Sequence, residues 1–468
     1  MFNFFDKIYT HSPIQFQNIM VTAYGFMLYR ERYTGAFKEY ITEFKKSEKL
    51  SREELEKIQL CQLKTMLKHA FQNVPYYGEL FDKLHLKPTD IENINDLKKI
   101  SILEKQAVKE NTEKFIAQNF NRRSLMKEHT GGTTGSPLTI YMTKEAVQFN
   151  YAMSEARIRN WYRVKLGDTT ATFLGRTIIP INQTQPPFWR YNRGWNEYLF
   201  SSFHMNRDNL KYYINKLLQI KPIIFIGYPT PILLLAQAVI EANLEGEIEP
   251  KLIWLSSETL YEHHRAIIEE AFATKVCNAY GLAESVAFIS ECLQGGLHIS
   301  PEYGILEFLP VRGGEKKNLF EIIATGLFNY AMPLIRYRTG DIVVITDPEK
   351  VCLCGRESYL LDEIIGRSDS VIVTPQGNIV SSAPLSLVFE FCRNVEEAQI
   401  IQDRKNSILI KIVKKKDYTV RDEKYLFYEM RKRIGKEMNI RFEYMKEIER
   451  TTSGKYRFLI SKIGKETL

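Results

Sequence analysis

The amino-acid sequence predicts a large N-terminal α/β domain with several mixed sheets and a small α+β C-terminal domain on a hinge. Three observations lead to this prediction. The 468 residues are more than one domain usually holds. Short apolar runs alternate with helical stretches between residues 124 and 366, which is typical of layered α/β structure. The alternation begins again after Gly366, in about 100 residues that can fold as a unit.

Residues 1–123 are predicted to be the helical N-terminal part of the large domain. Ser51 and Glu54 have the spacing of a capping box, and leucines at helical spacing follow them. The segment from Ile8 to Tyr29 carries no formal charge, but it is rich in Gln, Asn, Thr and Ser. We therefore expect it not to span a membrane, while peripheral attachment to a membrane surface stays open.

Residues 124–366 are predicted to form the α/β core of the large domain. Its strand-like runs are LTIYM, TATFL, PIIFIGY, KLIWLSS, GILEFL, FEIIAT and DIVVIT. Helices are predicted over residues 209–219 and 262–272, between some of these runs. The uncharged stretch 222–240 contains Pro229 and Pro231, which favours a buried strand followed by a helix over a membrane span.

Residues 367–468 are predicted to form a mobile C-terminal lid domain. The strand-like VIV is followed by the turn PQGN and by a helix in SAPLSLVFEFCRNV. QIIQDRKNSILIKIVKK is typical of a hairpin, and YLFYEMRKRIGKEM predicts a helix. We place the boundary near Gly366–Asp369.

Composition limits the class of protein without defining it. Apolar residues make up 44% and charged residues 26%, which is ordinary for a soluble globular chain. The net charge of +8 is mild for this length, so no nucleic-acid partner is expected. Six cysteines in so long a chain do not make a disulfide scaffold, and no signal peptide is visible, so we expect a cytoplasmic protein.

A Gly/Thr-rich segment, His129–Pro137, is the first motif that could carry chemistry. Glycines let backbone N–H groups approach an anion closely, and threonine hydroxyls add donors. No Gly-Lys-Ser/Thr follows, so it is not a Walker loop. Taken alone, the segment is as compatible with a plain hairpin as with a phosphate-binding loop.

Three further motifs follow along the chain. Glu284 comes shortly after a strand-like run and could hold Mg²⁺. Asp341 opens the run IVVIT and could accept both ribose hydroxyls. Lys455 lies on a Gly-bearing loop near the C-terminus and could reach into a site as a mobile charge. Singly, each is compatible with an ordinary turn or surface residue.

Together, the four motifs resemble those of the adenylate-forming superfamily, which includes acyl-CoA synthetases, adenylation domains and luciferases. They occur in the family's order and approximate spacing, between about Thr130 and Arg457. The runs VPYYGELF and PPFWRYN are similar to the phenylacetate-CoA ligase branch and its capsule-biosynthesis (CapK-type) relatives. The resemblance implies a ligase that activates an aryl or acyl carboxylic acid with ATP and transfers it to CoA.

The resemblance also implies a role for each motif. Tyr280 is implied to stack on adenine, Glu284 to ligate Mg²⁺, and Lys455 to bridge the carboxylate and the α-phosphate. Asp369 is implied to be the hinge. The residues implied to bind the nucleotide are Thr130, Gly131, Gly132, Thr133, Thr134, Gly135, Ser257, Glu258, Thr259, Tyr280, Gly281, Asp341 and Arg367.

The sequence departs from the family's pattern at three positions. Gly131 stands where many members have a serine, which weakens the expected grip on phosphate. Ala283 replaces a threonine before the glutamate, and Ser370 ends the hinge motif in place of a second aspartate. None of these changes removes a charge that adenylation needs.

Two alternatives to a CoA ligase stay open. The same adenylate could be transferred to an amine, on an amino acid or a capsular sugar. A non-catalytic nucleotide-binding protein is the alternative from another class, and the presence of Lys455, Glu284 and Asp341 argues against it. Relatives often form homodimers, but nothing in the sequence identifies an interface.

A zinc site is predicted from four further residues. Cys292 and His298 flank a Gly-Gly turn, and Cys352 and Cys354 follow as Cys-x-Cys. Three cysteines and one histidine are a ligand set of structural zinc. The spacings differ from those of zinc fingers, so three ordinary thiols and a histidine are the alternative. Some phenylacetate-ligase relatives carry zinc at similar positions, which favours the zinc site.

The carboxylic acid is expected to bind near the loops after three strand-like runs. An aromatic pocket suits an aryl or acyl acid, whereas Arg190 or His204 could steer an anionic or sugar-borne one. The alternative for the aromatic run is the protein core. The residues predicted to contact this substrate are Trp189, Arg190, His204, Tyr228 and Leu282.

Overall fold

The computed structural model describes residues 8–130, 138–175, 178–180, 183–311, 318–367, 371–375, 379–390, 392, 394–451 and 456–463. The chain divides into two compact units. The first unit comprises Met1–Leu306, Ala324–Arg338 and Glu349–Leu360. The second comprises Glu307–Ile323, Thr339–Pro348 and Leu361–Leu468. The three-part division and the hinge at Asp369, which lies outside the described residues, stay predictions.

The N-terminal part of the first unit is helical, as predicted. Its α-helices are α1 (Ile14–Arg32), α2 (Phe37–Ser47), α3 (Arg52–Asn73), α4 (Pro75–Lys83) and α5 (Lys105–Glu110). The capping box of α3 is confirmed, because the Ser51 hydroxyl accepts from the Glu54 N–H while the Glu54 carboxylate accepts from the Ser51 N–H at 2.8 Å. Within the described ranges, no helix has the length and apolar character needed to cross a bilayer.

The first unit contains a nine-stranded mixed sheet with the strand order β14-β10-β9-β8-β7-β6-β3-β5-β4. Strands β5, β3, β6, β7 and β8 are parallel to one another, and β4 and β9 are antiparallel to their neighbours. The strands are β3 (Thr170–Phe173), β4 (Trp189–Asn192), β5 (Glu197–Phe200), β6 (Ile224–Gly227), β7 (Leu252–Ser256), β8 (Val276–Gly281), β9 (Phe288–Glu291), β10 (Leu297–Ile299) and β14 (Leu360–Leu361).

One face of this sheet is covered by helices and forms the largest described core. The helices of this part are α6 (Lys144–Ser154, continued by a π-helical turn over Glu155–Arg159), α7 (Leu210–Ile220), α8 (Pro229–Glu241) and α9 (Glu262–Phe272). Ala171, Phe173, Phe225 and Leu255 pack in the core, each with at most 1% of its surface exposed. In strands such as β3 and β7, alternate apolar side chains therefore point towards this core.

Pro229 and Pro231 lie at the start of the predicted helix, which begins at Pro229. Both lie in the first turn of α8, where backbone N–H groups have no acceptor within the helix. Proline therefore costs α8 no hydrogen bond. The predicted strand PIIFIGY and the helix after it are otherwise confirmed.

The edge strand β4 is covered by α1. The Asn18 side-chain oxygen accepts from the Tyr191 N–H at 2.9 Å, and the Thr22 hydroxyl accepts from the Arg193 N–H at 3.1 Å. An edge strand leaves backbone groups unpaired unless another element covers them. The polar residues of this uncharged N-terminal segment serve that purpose.

Two strands outside the large sheet, β1 (Met126–His129) and β2 (Thr139–Met142), form an antiparallel pair. A four-stranded sheet contains β11 (Gly304–Pro310), β12 (Leu319–Gly326), β13 (Tyr337–Val344) and β15 (Glu363–Arg367), in that order. Most predicted strand runs of the core are therefore confirmed.

The C-terminal part of the second unit is α+β, as predicted. Its strands are β16 (Val371–Val373), β17 (Ile379–Ser381), β18 (Val395–Arg404), β19 (Ser407–Lys414), β20 (Asn439–Met445) and β21 (Leu459–Ser461), and its helices are α10 (Ser382–Glu390) and α11 (Val420–Ile434). The predicted hairpin is confirmed as β18–β19. The predicted helix ends earlier than expected, because Gly435 has a φ of 93° that a helix cannot continue.

We predict that Gly304→Ala is strongly destabilising. A β-carbon at Gly304 would lie 2.1 Å from the Val286 carbonyl oxygen and 2.9 Å from that of Thr325, and backbone cannot move aside cheaply. We expect a loss of about 2–4 kcal/mol in the free energy of unfolding, measured by urea titration. Gly78→Ala is the control, since its β-carbon would meet nothing closer than 3.6 Å within α4. Equal stability of the two variants would contradict the packing described for Gly304.

Candidate functional site

The predicted phosphate-binding loop connects β1 and β2. Thr130 joins the two ends of this loop, since its N–H donates to the Leu138 carbonyl at 2.9 Å and its hydroxyl oxygen accepts from the Leu138 N–H at 2.9 Å. Thr130 is buried, so it anchors the loop. The loop residues themselves lie outside the described part of the chain, and their phosphate-binding role stays a prediction: Gly131, Gly132, Thr133, Thr134 and Gly135.

The predicted adenine-binding segment follows β7 directly. Ser257 has a φ of 70°, a conformation that is uncommon for a residue with a side chain and that clusters at functional sites. The Glu258 carboxylate accepts from the Thr230 N–H at 3.1 Å, at the N-terminus of α8, where a negative charge is favourable. Thr259 comes next in the chain. The segment is therefore held to the neighbouring strand-helix connection.

Tyr280 and Gly281 are the last residues of β8, as predicted. A turn follows, in which the Ser285 N–H donates to the Leu282 carbonyl at 2.9 Å. Ser285 has a φ of 56°. This turn places the Glu284 side chain inside the protein, where it is 6% exposed.

The buried Glu284 carboxylate is held by a cation and a phenol. Its Oε1 atom accepts from Lys105 Nζ at 3.1 Å and from the Tyr337 hydroxyl at 2.8 Å. Among the described residues, no hydrogen bond to its other oxygen is formed, so that oxygen can bind a metal ion. Sequence reasoning missed Lys105, because it begins the short helix α5 without any recognisable motif.

Asp341 and Arg367 lie opposite each other on β13 and β15 of the second unit. Arg367 Nε is 3.8 Å from Asp341 Oδ1, and Asp341 is 4% exposed. The Asp341 N–H donates to the Thr339 hydroxyl oxygen at 3.1 Å. The predicted pair is therefore brought together, whereas Lys455 and Asp369 lie outside the described residues.

A cavity of about 310 Å³ lies in the first unit. Tyr228 and Ser257, two of the predicted site residues, are among its lining residues. Arg159 also lines it, and its Nη1 donates to Glu155 Oε2 at 3.2 Å. The other described lining residues are Arg32, Tyr33, Tyr151, Ser154, Leu166, Gly167, Thr170, Thr172, Leu174, Trp195, Glu197, Ile226, Trp254 and Ser256.

Three residues predicted to contact the substrate have other surroundings. Arg190 is 1% exposed, and its Nε donates to Gln17 Oε1 at 2.5 Å, which ties β4 to α1. His204 is buried, with its Nδ1 2.8 Å from the Ser201 hydroxyl. Trp189 packs against Phe200, with ring centroids 5.6 Å apart. These contacts favour structural roles, and none of the three residues lines the cavity.

The four predicted zinc ligands are brought together in the first unit. Their ligand atoms all lie within 4.8 Å of one another. Cys292 Sγ is 3.6 Å from Cys352 Sγ, and Cys354 Sγ is 3.2 Å from His298 Nε2. Two thiolates about 2.3 Å from a tetrahedral zinc lie roughly 3.8 Å apart, so the sulfur distance fits zinc.

Two further features of this cluster fit a metal. The His298 Nδ1 atom is 2.9 Å from the Ser358 hydroxyl, which leaves Nε2 directed at the thiols. Gly296 adjoins the cluster, and a β-carbon there would lie 2.6 Å from Cys352 Sγ. Burial, helped by Arg356, lowers the pKa of His298 to about 4, so its ring is neutral at pH 7 and able to bind metal.

Burial raises the pKa of the Cys292 thiol to about 12. The thiol is therefore protonated at neutral pH when no metal is bound. Zinc binds thiolates, so binding must release this proton. The affinity of the cluster for zinc is consequently expected to rise with pH.

The sequence is similar to that of known ligases. A family model described as CapK C-terminal domain matches residues 372–462. The chain is 32% identical to Protein CapK of Staphylococcus aureus, over 98% of this chain and 99% of that protein. It is 24% identical to the phenylacetate-coenzyme A ligase of Thermus thermophilus, over 77% of this chain and 81% of that protein.

The fold is similar to that of a solved CoA ligase. The structure of 2-hydroxyisobutyryl-CoA ligase in the postadenylation state, in complex with R3-HIB-AMP, matches with a TM-score of 0.67. The match covers 90% of this chain and 92% of that chain at 15% identity. At this identity, the similarity supports the fold alone.

We predict that the purified protein holds about one zinc ion per chain. Cys354→Ser removes one ligand and is expected to lose most of the zinc, and also to lower the thermal unfolding midpoint, because structural zinc contributes to folding. Metal analysis and thermal unfolding measure the two effects. Cys61→Ser, which changes an exposed thiol, is the control and should keep its zinc. Wild-type protein free of zinc would rule the site out.

Proposed function

The chain belongs to the CapK family, a branch of the adenylate-forming ligases, and on this premise we propose that it activates a carboxylic acid with ATP and transfers the acyl group to CoA. The similarity to named phenylacetate-coenzyme A ligases supports this proposal. The observation that carries the proposal is the buried Glu284 carboxylate at the end of β8. Lys105 and Tyr337 both contact one oxygen of this carboxylate, and its other oxygen, which accepts no hydrogen bond from the described residues, suits a metal ion bound to phosphates.

The chemistry would proceed in two displacements. A carboxylate is a poor electrophile, so an oxygen of the acid first attacks the α-phosphorus of ATP, and the bond to the β-phosphate breaks to release pyrophosphate. The thiolate of CoA then attacks the carbonyl carbon, and AMP leaves with the electrons of its bond. The first step makes AMP the leaving group that the free acid lacks.

The residues of the chain would mainly orient the nucleotide and offset its charge. Glu284 would ligate Mg²⁺, which when bound neutralises charge on the phosphate oxygens. Lys455 would hold the carboxylate against the α-phosphate, a role that rests on the sequence resemblance alone. Tyr280 would stack on adenine beside Gly281, and Leu282 would lie near the acid, as its position after β8 suggests.

The remaining predicted nucleotide contacts fit the same proposal. Asp341 would accept hydrogen bonds from the ribose hydroxyls, and Arg367 beside it would assist at ribose or phosphate. The two side chains are adjacent, with Arg367 Nε 3.8 Å from Asp341 Oδ1, so both would face the same part of the nucleotide. Ser257, Glu258 and Thr259 would present backbone and side-chain groups to adenine.

The four-residue cluster of Cys292, His298, Cys352 and Cys354 would hold zinc in a structural role. All four positions are taken by protein ligands, and a closed set leaves no place for substrate. We therefore assign zinc no part in the reaction. Its contribution would be to hold the segment containing Cys352 and Cys354 against β9 and β10.

Transfer to an amine in place of CoA is the second candidate. One observation favours it. Protein CapK, whose name does not specify a CoA ligase, matches over 98% of this chain, whereas the phenylacetate-coenzyme A ligase of Thermus thermophilus matches over 77% of it. An amine would attack the same carbonyl carbon and give an amide. Adding CoA or amines to the reaction and weighing the product distinguishes the two.

We predict that ATP is cleaved to AMP and pyrophosphate, and that Glu284→Gln slows this cleavage about 10²–10³-fold. The amide keeps the size of the side chain but removes the charge that would bind Mg²⁺. Pyrophosphate release over a panel of acids, with ³¹P NMR of the products, measures the effect.

Glu110→Gln is the matched control, because it removes a carboxylate from the exposed end of α5 and should leave the rate unchanged. Release of ADP and orthophosphate would contradict the proposed function. An unchanged rate in Glu284→Gln would contradict only the role of Glu284.

We predict that Lys455→Ala abolishes formation of the acyl-adenylate while a preformed acyl-adenylate still reacts with the acceptor. The lysine charge would be needed only where negative charge develops at the α-phosphate. Pyrophosphate release measures the first step, and product formation from synthetic acyl-adenylate measures the second. Lys462→Ala, near the same C-terminus, is the control. Normal adenylation by Lys455→Ala would show that our assignment of Lys455 is wrong.

A further inference from the structure

The cavity of about 310 Å³ in the first unit is lined by more polar groups than a hydrocarbon chain would need. We propose that it binds a hydroxylated acid, meaning a small carboxylic acid whose carbon skeleton carries several hydroxyl groups. The inference rests on the proposed adenylation, and it names the class of acid. The cavity would hold the part of the acid that lies away from the reacting carboxylate.

The floor of the cavity is one face of the nine-stranded sheet. Side chains alternate between the faces of a strand, and this face presents Thr170 and Thr172 of β3 together with Ser256 of β7. Their neighbours Ala171 and Leu255 belong to the apolar core on the other face. Parallel strands covered on both faces are normally apolar almost throughout. Thr170 and Thr172 donate to Asp168 and Glu197, and their hydroxyl oxygens can still accept, so this face presents a polar surface that favours a polar ligand.

Three residues that line the cavity carry buried N–H groups without an acceptor. These groups are Arg159 Nε, Trp195 Nε1 and Trp254 Nε1, and among the described residues none of them has a hydrogen-bond partner. Each can only donate. A buried donor without an acceptor is costly. Each of these atoms exposes less than 1 Å² of surface, so a ligand oxygen in the cavity would accept from it after a small movement of the side chain.

Formal charges in and beside the cavity balance. Arg159 is paired with Glu155, the partner behind it. Arg32 lies over the Tyr151 ring, 4.5 Å from its centroid, and no described carboxylate forms an ion pair with it. Glu197 accepts from the Thr172 hydroxyl at 2.7 Å, and no described cation forms an ion pair with it. The positive charge of Arg32 and the negative charge of Glu197 therefore offset each other. This balance favours a neutral polar group in the cavity over a ligand that carries a second carboxylate there.

Hydroxyl groups match this lining better than other oxygen groups. A hydroxyl can accept from an arginine or indole N–H and also donate to a carboxylate such as Glu197, whereas a carboxylate can only accept. The rings of Tyr151, Trp195 and Trp254 supply flat surfaces for the carbon skeleton. The volume is in the lower range of small-molecule sites, which suits an acid of about six carbons.

The cavity also lies where the proposed reaction needs it. Tyr228 and Ser257 line it, and they follow the carboxyl ends of the parallel strands β6 and β7. Ligands of open α/β sheets bind at these ends. An acid held in the cavity would therefore have its carboxylate near the segment that we assign to adenine.

The test compares acids of similar size that differ in polarity. Pyrophosphate release is measured with ATP and gluconate, glucuronate, hexanoate, phenylacetate or adipate, and binding of each acid alone is measured by calorimetry. We expect gluconate or glucuronate to exceed hexanoate at least about tenfold in kcat/KM, because a site built for hydroxyl groups rejects analogues without them.

Two variants connect the preference to the cavity. Thr172→Val keeps the shape of the side chain and removes its hydroxyl, and Trp254→Phe removes the indole N–H while keeping an aromatic ring. Each is expected to raise KM for the hydroxylated acid about tenfold and to change KM for hexanoate much less, because hexanoate has no hydroxyl group to lose a hydrogen bond. Tyr213→Phe is the matched control, because it removes a buried hydroxyl on the opposite, apolar face of the sheet.

Each outcome decides the inference. The inference is supported if the wild type prefers hydroxylated acids, if the two cavity variants reduce this preference, and if Tyr213→Phe keeps it. Equal or better use of hexanoate or phenylacetate overturns it while leaving the ligase function intact, and so does a preference for adipate. If no acid releases pyrophosphate, the proposed function fails, and calorimetry still shows whether a hydroxylated acid binds in preference to hexanoate.

Discussion

Parallel pairing of β3, β6, β7 and β8 is the constraint on which the first unit's candidate site depends. Parallel strands bring their carboxyl ends to one edge of the sheet, so the segments that follow these strands emerge side by side. Tyr228, Ser257 and Leu282 all come directly after such strands. Residues about 25 positions apart in the chain are neighbours for this reason. Any change in strand order would separate them.

Burial of charge is the second physical constraint on the site. Glu284 is 6% exposed, and a charged carboxylate without a partner would be costly in such a place. Lys105 and Tyr337 hold it instead. Because both contact the same carboxylate oxygen, the arrangement compensates the charge and leaves the other oxygen available to the Mg²⁺ ion that we propose. An ion pair that covered both oxygens would stabilise the fold equally but would block the site.

The motif residues could be predicted from the sequence, because each has an unusual local composition. Ser257 follows a buried strand directly and Glu284 follows one after two residues, and the metal cluster is made of cysteine and histidine, the usual ligands of structural zinc. The polar lining of the cavity could not be predicted. Thr172 looks like any β-branched strand residue, and only the pairing of strands shows which face it occupies.

Arg190 is a residue whose local sequence suggested a binding role, whereas its contacts in the structure favour a structural one. An arginine in an aromatic run is typical of an anion site, and the sequence does not show that α1 packs beside it. Its guanidinium is occupied by Gln17 and by backbone carbonyls, so it stabilises an edge strand. Lys105 and Arg159 were missed for a related reason: both come from helical segments whose local pattern does not differ from that of ordinary helices. Their functions depend on contacts with distant parts of the chain.

The two faces of the nine-stranded sheet therefore contribute to different properties. Ala171 and Phe173 point to the apolar core and stabilise the fold, at about 25 cal/mol for each Å² removed from water. Thr170 and Thr172, on the same strand, gain little from burial and point to the cavity. A sheet selected for stability alone would carry valine or isoleucine at such positions. The polar face lowers the stability of the sheet locally, as binding sites in proteins often do. The apolar face on the other side contributes enough stability to offset this loss.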